Sequence, residues 1–176
     1  MRYWDPQRGQ VTLSGTPLPQ IDVHARRRIQ AMMSQETHLF DGTIRENLLI
    51  ALPESEIRNG GAAGVLDARL REALAKASVL DLIDSLPDGL DTQVGELGDR
   101  LSEGERQRIG LARVFLRNAD LVLFDEPTSR LDALNEAIIL RSIHELQNAD
   151  KGQDVAVVLV SHRESAMRVA DAVLNL

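Results

Sequence analysis

The stretch Leu121-Val-Leu-Phe-Asp125-Glu126-Pro127 constrains this chain most. Four consecutive apolar residues do not alternate between core and water. They read as a strand buried on both faces, the kind found in parallel sheets. The strand ends in two adjacent carboxylates, and Pro127 turns the chain away from it. A second run, Val155-Ala-Val-Val-Leu-Val160, is apolar throughout and reads the same way. Between them, Asp132 to Gln147 spaces Leu134, Ala137, Ile138, Leu140, Ile143 and Leu146 at helical intervals. Strand, helix and strand of this type specify an α/β fold. In open α/β sheets, ligands bind outside the carboxyl ends of the strands, where Asp125 and Glu126 stand.

The rest of the chain supplies helices and loops around that unit. Gln10 to Gly15 reads as a short strand ending in a glycine turn, Thr16-Pro-Leu-Pro19 as loop, and Ile29 to Met33 as a further buried strand. Thr43-Ile-Arg-Glu46 and Ser102-Glu-Gly-Glu105 both have the spacing of a capping box, so helices are expected to start at Thr43 and Ser102. The second helix runs to about Arg117. Leu66, Leu70, Ala73, Leu74 and Ala77 predict another helix, and Val79 to Leu86 a shorter one. Glu54 to Gly64 and Asp91 to Arg100 are expected to be loops. His162 to Ala170 is read as helix and Val173 to Leu176 as the start of a strand.

Composition removes several function classes. The chain has 176 residues and a formal net charge of −7, which argues against a nucleic-acid partner, since such binders are usually basic. There is no cysteine, so disulfides and thiolate metal sites are excluded. No apolar run approaches the roughly 18 residues that cross a bilayer, and no apolar leader follows Met1.

Paired carboxylates at a strand end suit metal-bound phosphate chemistry. One holds Mg²⁺ directly or through water and the next polarises an attacking water. Alone, the pair is equally well explained as a solvated strand end. Ser102 stands at a helix start, where free backbone N–H groups accept phosphate readily, and Gly104 leaves room for a second surface to approach. Ser102 with Glu105 is by itself also an ordinary helix cap.

Taken together, the segments resemble the nucleotide-binding domain of an ABC transporter. The signature is Leu101-Ser-Glu-Gly-Glu-Arg-Gln107, and the Walker B strand is Leu121 to Asp125 followed by Glu126. The D-loop resembles Ser129-Arg-Leu-Asp132. The switch histidine is His162 in Val160-Ser-His-Arg163, and the Q-loop glutamine is Gln35 in Met33-Ser-Gln-Glu-Thr-His-Leu-Phe40. Five motifs follow in the family's order at its spacing. His38-Leu-Phe-Asp-Gly-Thr-Ile-Arg-Glu-Asn-Leu48 and the X-loop-like Thr92-Gln-Val-Gly-Glu96 resemble exporter-type domains with a fused permease. The wording of the first of these, with Trp4-Asp-Pro6, is similar to fused exporters of the cysteine/glutathione type.

The resemblance implies a partial P-loop NTPase (RecA-like) sheet with an inserted helical subdomain. Residues 1–34 and 119–176 would belong to the RecA-like part and 35–118 to the helical, signature-bearing part. It implies ATP and Mg²⁺ as cofactors. Asp125 would hold Mg²⁺, and Glu126 would act as general base. His162 would contact the γ-phosphate, and Gln35 would link Mg²⁺ and the attacking water to the permease. Ser102, Gly104 and Glu105 would meet ATP on a second nucleotide-binding domain, of the same or a different chain, and Asp132 would communicate across that dimer. The implied partners are that domain and a transmembrane permease, at the cytoplasmic face of the cell membrane.

The chain also departs from the family pattern. The phosphate loop G-x-x-x-x-G-K-[ST] does not occur: the two lysines are Lys76 in Ala-Lys-Ala and Lys151 in Asp-Lys-Gly. Arg2-Tyr-Trp-Asp-Pro6 resembles sequence just beyond the loop's helix, so the chain is expected to begin downstream of the phosphate cradle. Very weak or absent ATP hydrolysis by the chain alone follows, together with exposed apolar sheet surface. Glu103 stands where the family usually has glycine, and Glu105 where it often has glutamine. Other readings are a non-catalytic module that docks on a permease or lends its signature in trans, and a gene fragment without a function. The chromosome-maintenance and DNA-repair ATPases carry long coiled coils in place of residues 36–100, unlike this compact middle.

Overall fold

The computed structural model describes residues 6–59, 63–97, 101–147 and 155–175. Met1, Arg2, Trp4, Arg100, Lys151 and Leu176, named above, lie outside them. The chain opens with a hairpin of β1 (Thr12–Leu13) and β2 (Thr16–Pro17). Ser14 and Gly15 between them both have positive φ, as a two-residue hairpin turn demands. Thr16 and Pro17, read from sequence as loop, therefore pair. Helix α1 (Val23–Ile29) follows and feeds straight into β3 (Gln30–Met33). Its N-cap is Asp22, whose carboxylate accepts from His24 N at 3.0 Å and Ala25 N at 2.9 Å.

The middle is helical. Helix α2 (Ile44–Leu49) starts in the capping box expected at Thr43 and Glu46. The expected loop at 54–64 instead holds α3 (Glu54–Asn59) and the start of α4 (Ala63–Lys76). Two acids in the first turn of α3 favour its helix dipole, and Arg58 pairs with Glu54 one turn earlier. After α5 (Leu80–Ser85), α6 (Val94–Leu97) occupies part of another expected loop. It is held because residues 92–94 lie against 42–44: Val94 N donates to Gly42 O at 2.7 Å and Ile44 N to Thr92 O at 3.1 Å. Arg45 cross-links α2 to this region through Asp91, 2.7 Å away, and to α4 through Asp67.

Helix α7 (Glu103–Arg117) is the central element, packing against α4, α2 and β3. It ends at Asn118 in the left-handed region and hands over to β4 (Leu121–Asp125). Helix α8 (Ala133–Gln147) and β5 (Ala156–Val160) follow, as expected. The last helix, α9 (Glu164–Met167), is shorter than the predicted 162–170. Residues 173–175 form no strand, and Val173 and Leu174 are exposed, so the expected strand there is corrected. Among the described residues, no helix is long and apolar enough to cross a membrane.

The sheet is parallel, in the order β3-β4-β5, with Met33 opposite Phe124 and Phe124 opposite Leu159. Val122 and Phe124 are buried, and Val157 and Leu159 pack against the same core as Ile109, Ile139 and Ile143. On the other face Val158 is 48% and Val160 54% exposed. So β5 is covered on one face, not two, and the expectation of exposed apolar sheet surface is met there.

Three carboxyls sit below the usual aspartate range. Asp22 is lowered first by the Ala25 N–H, Asp91 by the Arg45 guanidinium, and Asp132 by the Asn135 N–H. A folded-state value below the unfolded one, about 3.9, stabilises the fold above that pH and ceases to do so as pH falls through the folded value. The variant with both Asp91→Asn and Asp132→Asn keeps the α8 cap but loses both titrations. Thermal melts followed by circular dichroism should show a smaller fall in Tm between pH 5 and pH 3 than in the unaltered chain.

Candidate functional site

Parallel strands put all their carboxyl ends on one edge. Here that edge carries Ser34 and Gln35 after β3, Glu126 after β4, and Ser161 and His162 after β5. Glu126 N donates to Val160 O at 2.9 Å, extending the ladder one residue past Asp125. The His162 ring nitrogen Nδ1 lies 2.9 Å from Glu126 Oε1. An ionised carboxylate only accepts, so Nδ1 carries the proton in this contact. The other oxygen, Glu126 Oε2, is buried with no hydrogen-bond partner. The Glu126 backbone has φ of 49°, the left-handed region that a non-glycine residue enters at a cost. A strained residue with an unanswered carboxylate oxygen is arranged for something other than stability. Asp125 beside it is exposed at the strand end.

The turn after Pro127 is held from two sides. Gln35 Nε2 donates to Ser129 Oγ at 3.1 Å, and Glu36 pairs with Arg130. From the other side Arg163 donates to Ser129 O at 3.0 Å and Leu131 O at 3.3 Å, and pairs with Glu136. Asp132 then caps α8, accepting from Leu134 N at 3.0 Å and Asn135 N at 2.9 Å.

The start of α7 forms a separate group. Ser102 and Glu105 make the full capping box: Ser102 N and Oγ donate to Glu105 Oε2 at 2.7 and 2.8 Å, and Glu105 N donates to Ser102 Oγ at 3.3 Å. Glu103 pairs with Arg106 at 2.8 Å. Gly104 is buried, and a Cβ there would lie 2.6 Å from Asn135 Cγ. Within the chain, then, the bare face of Gly104 is filled by the Asn135 side chain. Asn135 also donates to Asp132 Oδ2 at 2.7 Å and accepts from Arg108, which joins the two groups. Among the described residues no set of three or more His, Asp or Glu could by itself hold a metal ion.

Residues 1–129 match the family profile described as ABC transporter. This chain belongs to the ABC transporter family. It is 42% identical over its full length to a probable ABC transporter ATP-binding/permease protein of Haemophilus influenzae, of which it spans 29%. Over 99% of its length it is 35% identical to the ATP-dependent lipid A-core flippase of Saccharophagus degradans, spanning 27% of that protein. A solved bacterial Atm1-family ABC exporter with ATP bound superposes with a TM-score of 0.75 at 31% identity, covering 94% of this chain and 27% of that one. The chain thus spans less than a third of these exporter relatives. Its α/β fold with a parallel sheet is that of an ABC exporter's ATP-binding part, and the family match implies ATP binding.

Of the ABC-type residues named from sequence, the structure brings Gln35, Glu126, His162 and the 129–132 turn together. It leaves Ser102 to Glu105 apart, with Asn135 between the two groups. Four further residues escaped sequence reading: Gln107, Asn135, Glu136 and Arg163. Gln107 is 2% exposed; its amide donates to Gln35 O and accepts from Thr37 Oγ1 at 2.8 Å. A glutamine among helix-forming polar residues carries no signal of this. A glutamate and an arginine flanking apolar positions read as surface.

Two substitutions check this reading. A Cβ at Gly110 would stand 2.4 Å from Thr37 Oγ1, displacing the hydroxyl that meets Gln107. Gly110→Ala, which helix propensity alone would make stabilising by about 1 kcal/mol, should instead cost about 1–3 kcal/mol in denaturant titration. Adding Thr37→Ala should recover part of the loss. At the strained position, Glu126→Gly should raise stability by about 1 kcal/mol, because it removes both the left-handed penalty and the orphaned carboxylate. A lowered Tm would refute the strain.

Proposed function

We propose that this chain supplies the hydrolytic and signature faces of the ATP site in an ABC exporter that drives substrate across a membrane. The observation that carries it is Glu126: a carboxylate at the end of the central strand, held by His162 on one oxygen and free on the other. An acceptor oxygen without a donor fits a water or a hydrated cation, so the residues present suit Mg²⁺ and a nucleotide. With too few ligands here for a metal cage, the ion would take most of its oxygens from phosphate and water, as Mg²⁺ usually does. When bound, Mg²⁺ would offset charge on the phosphates.

The chain's own residues then have distinct tasks. Asp125, exposed at the strand end, would hold Mg²⁺. Glu126 would take the proton of the attacking water. His162, set beside Glu126, would contact the γ-phosphate. Gln35 would report on Mg²⁺ and water through the segment that leads to Phe40. Ser102, Gly104 and Glu105 would face ATP held by a second nucleotide-binding domain, identical or different, with Asp132 at the junction. The Glu103–Arg106 pair would lessen the repulsion of Glu103 for phosphate.

A cleft on this chain would receive the permease. A cleft of about 790 Å³ opens between α1, the segment after β3 and α7, lined by Arg26, Met32, Phe40, Ile50 and Arg113. Phe40 and Ile50 are 60% and 56% exposed. Arg113 fastens this wall by donating to His38 O at 2.7 Å and Asn47 Oδ1 at 2.7 Å. Burial lowers it to about 10, so it stays charged at neutral pH. The division we infer is a RecA-like part at 1–34 and 119–176 and a helical part at 35–118, all at the cytoplasmic face of the membrane.

The test is a chimera in which these 176 residues replace the matching stretch of the Haemophilus influenzae relative. It should hydrolyse ATP, and Glu126→Gln should lower kcat by about 10²–10⁴, the usual contribution of a general base. The 176-residue chain alone should show negligible turnover. Hydrolysis by the chimera that is indifferent to Glu126→Gln would overturn the assignment.

A further inference from the structure

Burying charge is costly, and a paired buried charge is often no more stabilising than well-packed apolar side chains. The described residues nonetheless bury Glu136 on α8 to 8% exposure and commit both of its oxygens, Oε2 to Arg163 and Oε1 to the Ser165 hydroxyl. Arg163 directly follows His162, and its guanidinium also holds the carbonyls of Ser129 and Leu131. One planar fork therefore ties three elements together: the segment carrying His162, the turn after Glu126, and α8. Ser129 is shared, because its hydroxyl is held by Gln35 while its carbonyl is held by Arg163. Gln35 and His162, which follow the two outer strands β3 and β5, are thus referenced to a single residue.

We propose that Arg163 is a positioning residue: anchored on Glu136, it clamps the 129–131 turn and so sets His162 against Glu126. The inference deepens the assignment of the ATP site and rests on it for its catalytic meaning. The clamp itself is made of this chain's own residues. Arginine is required because a lysine point charge can hold Glu136 but cannot also span two carbonyls in one plane.

The test uses the 176-residue chain without nucleotide. In Arg163→Met, amide exchange at Ser129 and Leu131 should rise by about tenfold or more, while amides of β4 and α7 keep their protection. Glu136→Gln and Arg163→Lys, which alter charge and shape less, should show the same local pattern and carry the test if Arg163→Met fails to fold. At fixed pH, Glu126→Gln should move the His162 ring resonances in the unaltered chain and leave them unmoved in Arg163→Met. Unchanged exchange at 129 and 131, a uniform rise across the fold, or His162 signals still sensitive to Glu126→Gln in Arg163→Met would each overturn the clamp. Failure of the ATP-site assignment would show elsewhere, as a chimera indifferent to Glu126→Gln.

Discussion

The parallel pairing of β3, β4 and β5 is the constraint on which the rest depends. In an antiparallel sheet alternate strands would deliver their last residues to opposite edges. Parallel pairing brings Gln35, Glu126 and His162 to one edge, although they are separated by up to 127 positions. Register then decides the details. The bond from Glu126 N to Val160 O keeps the ladder intact until the chain must turn. The turn is taken at Glu126 itself, in a backbone conformation that costs energy. Everything polar at this edge is arranged around that turn.

Three partly buried polar ties convert the edge into a defined geometry. Gln107 binds α7 to the segment after β3, Asn135 and Arg108 bind α7 to α8, and Arg163 with Glu136 binds α8 to the segment after β5. Apolar packing tolerates small sliding. A buried hydrogen bond does not, because a group pulled off its partner with no water at hand loses the full bond. Helices α7 and α8 therefore move with the loops of the sheet edge.

Much of this was legible from sequence because it depends on local chemistry. Two unbroken apolar runs announced β4 and β5, and Ser102/Glu105 and Thr43/Glu46 announced their capping boxes to the residue. The errors arose where tertiary contacts decide. Residues 94–97 become helical because residues 92–94 pair with 42–44, and residues 173–175 stay irregular for want of a neighbouring strand to pair with among the described residues. The polar, glycine-rich stretch from Glu54 to Gly64 suggested a surface loop, yet acids in the first turn of 54–59 stabilise a helix. The site's chemistry-bearing residues stood out by type and spacing. Gln107, Asn135, Glu136 and Arg163 did not, since a side chain's partner across 27 or more positions leaves no mark on its own neighbourhood in the chain.

The Asn135 side chain resting on Gly104 has a consequence for how this sequence can change. Any residue larger than glycine at 104 collides with Asn135 unless that side chain moves, and Asn135 is held by Asp132 and Arg108. Substitution at 104 is therefore open only to chains that have already shortened residue 135, and shortening it alone leaves Arg108 without that acceptor. The path between the two is uphill at the first step in either direction. Packing against Asn135 alone is thus enough to hold glycine at 104, whatever else that position meets.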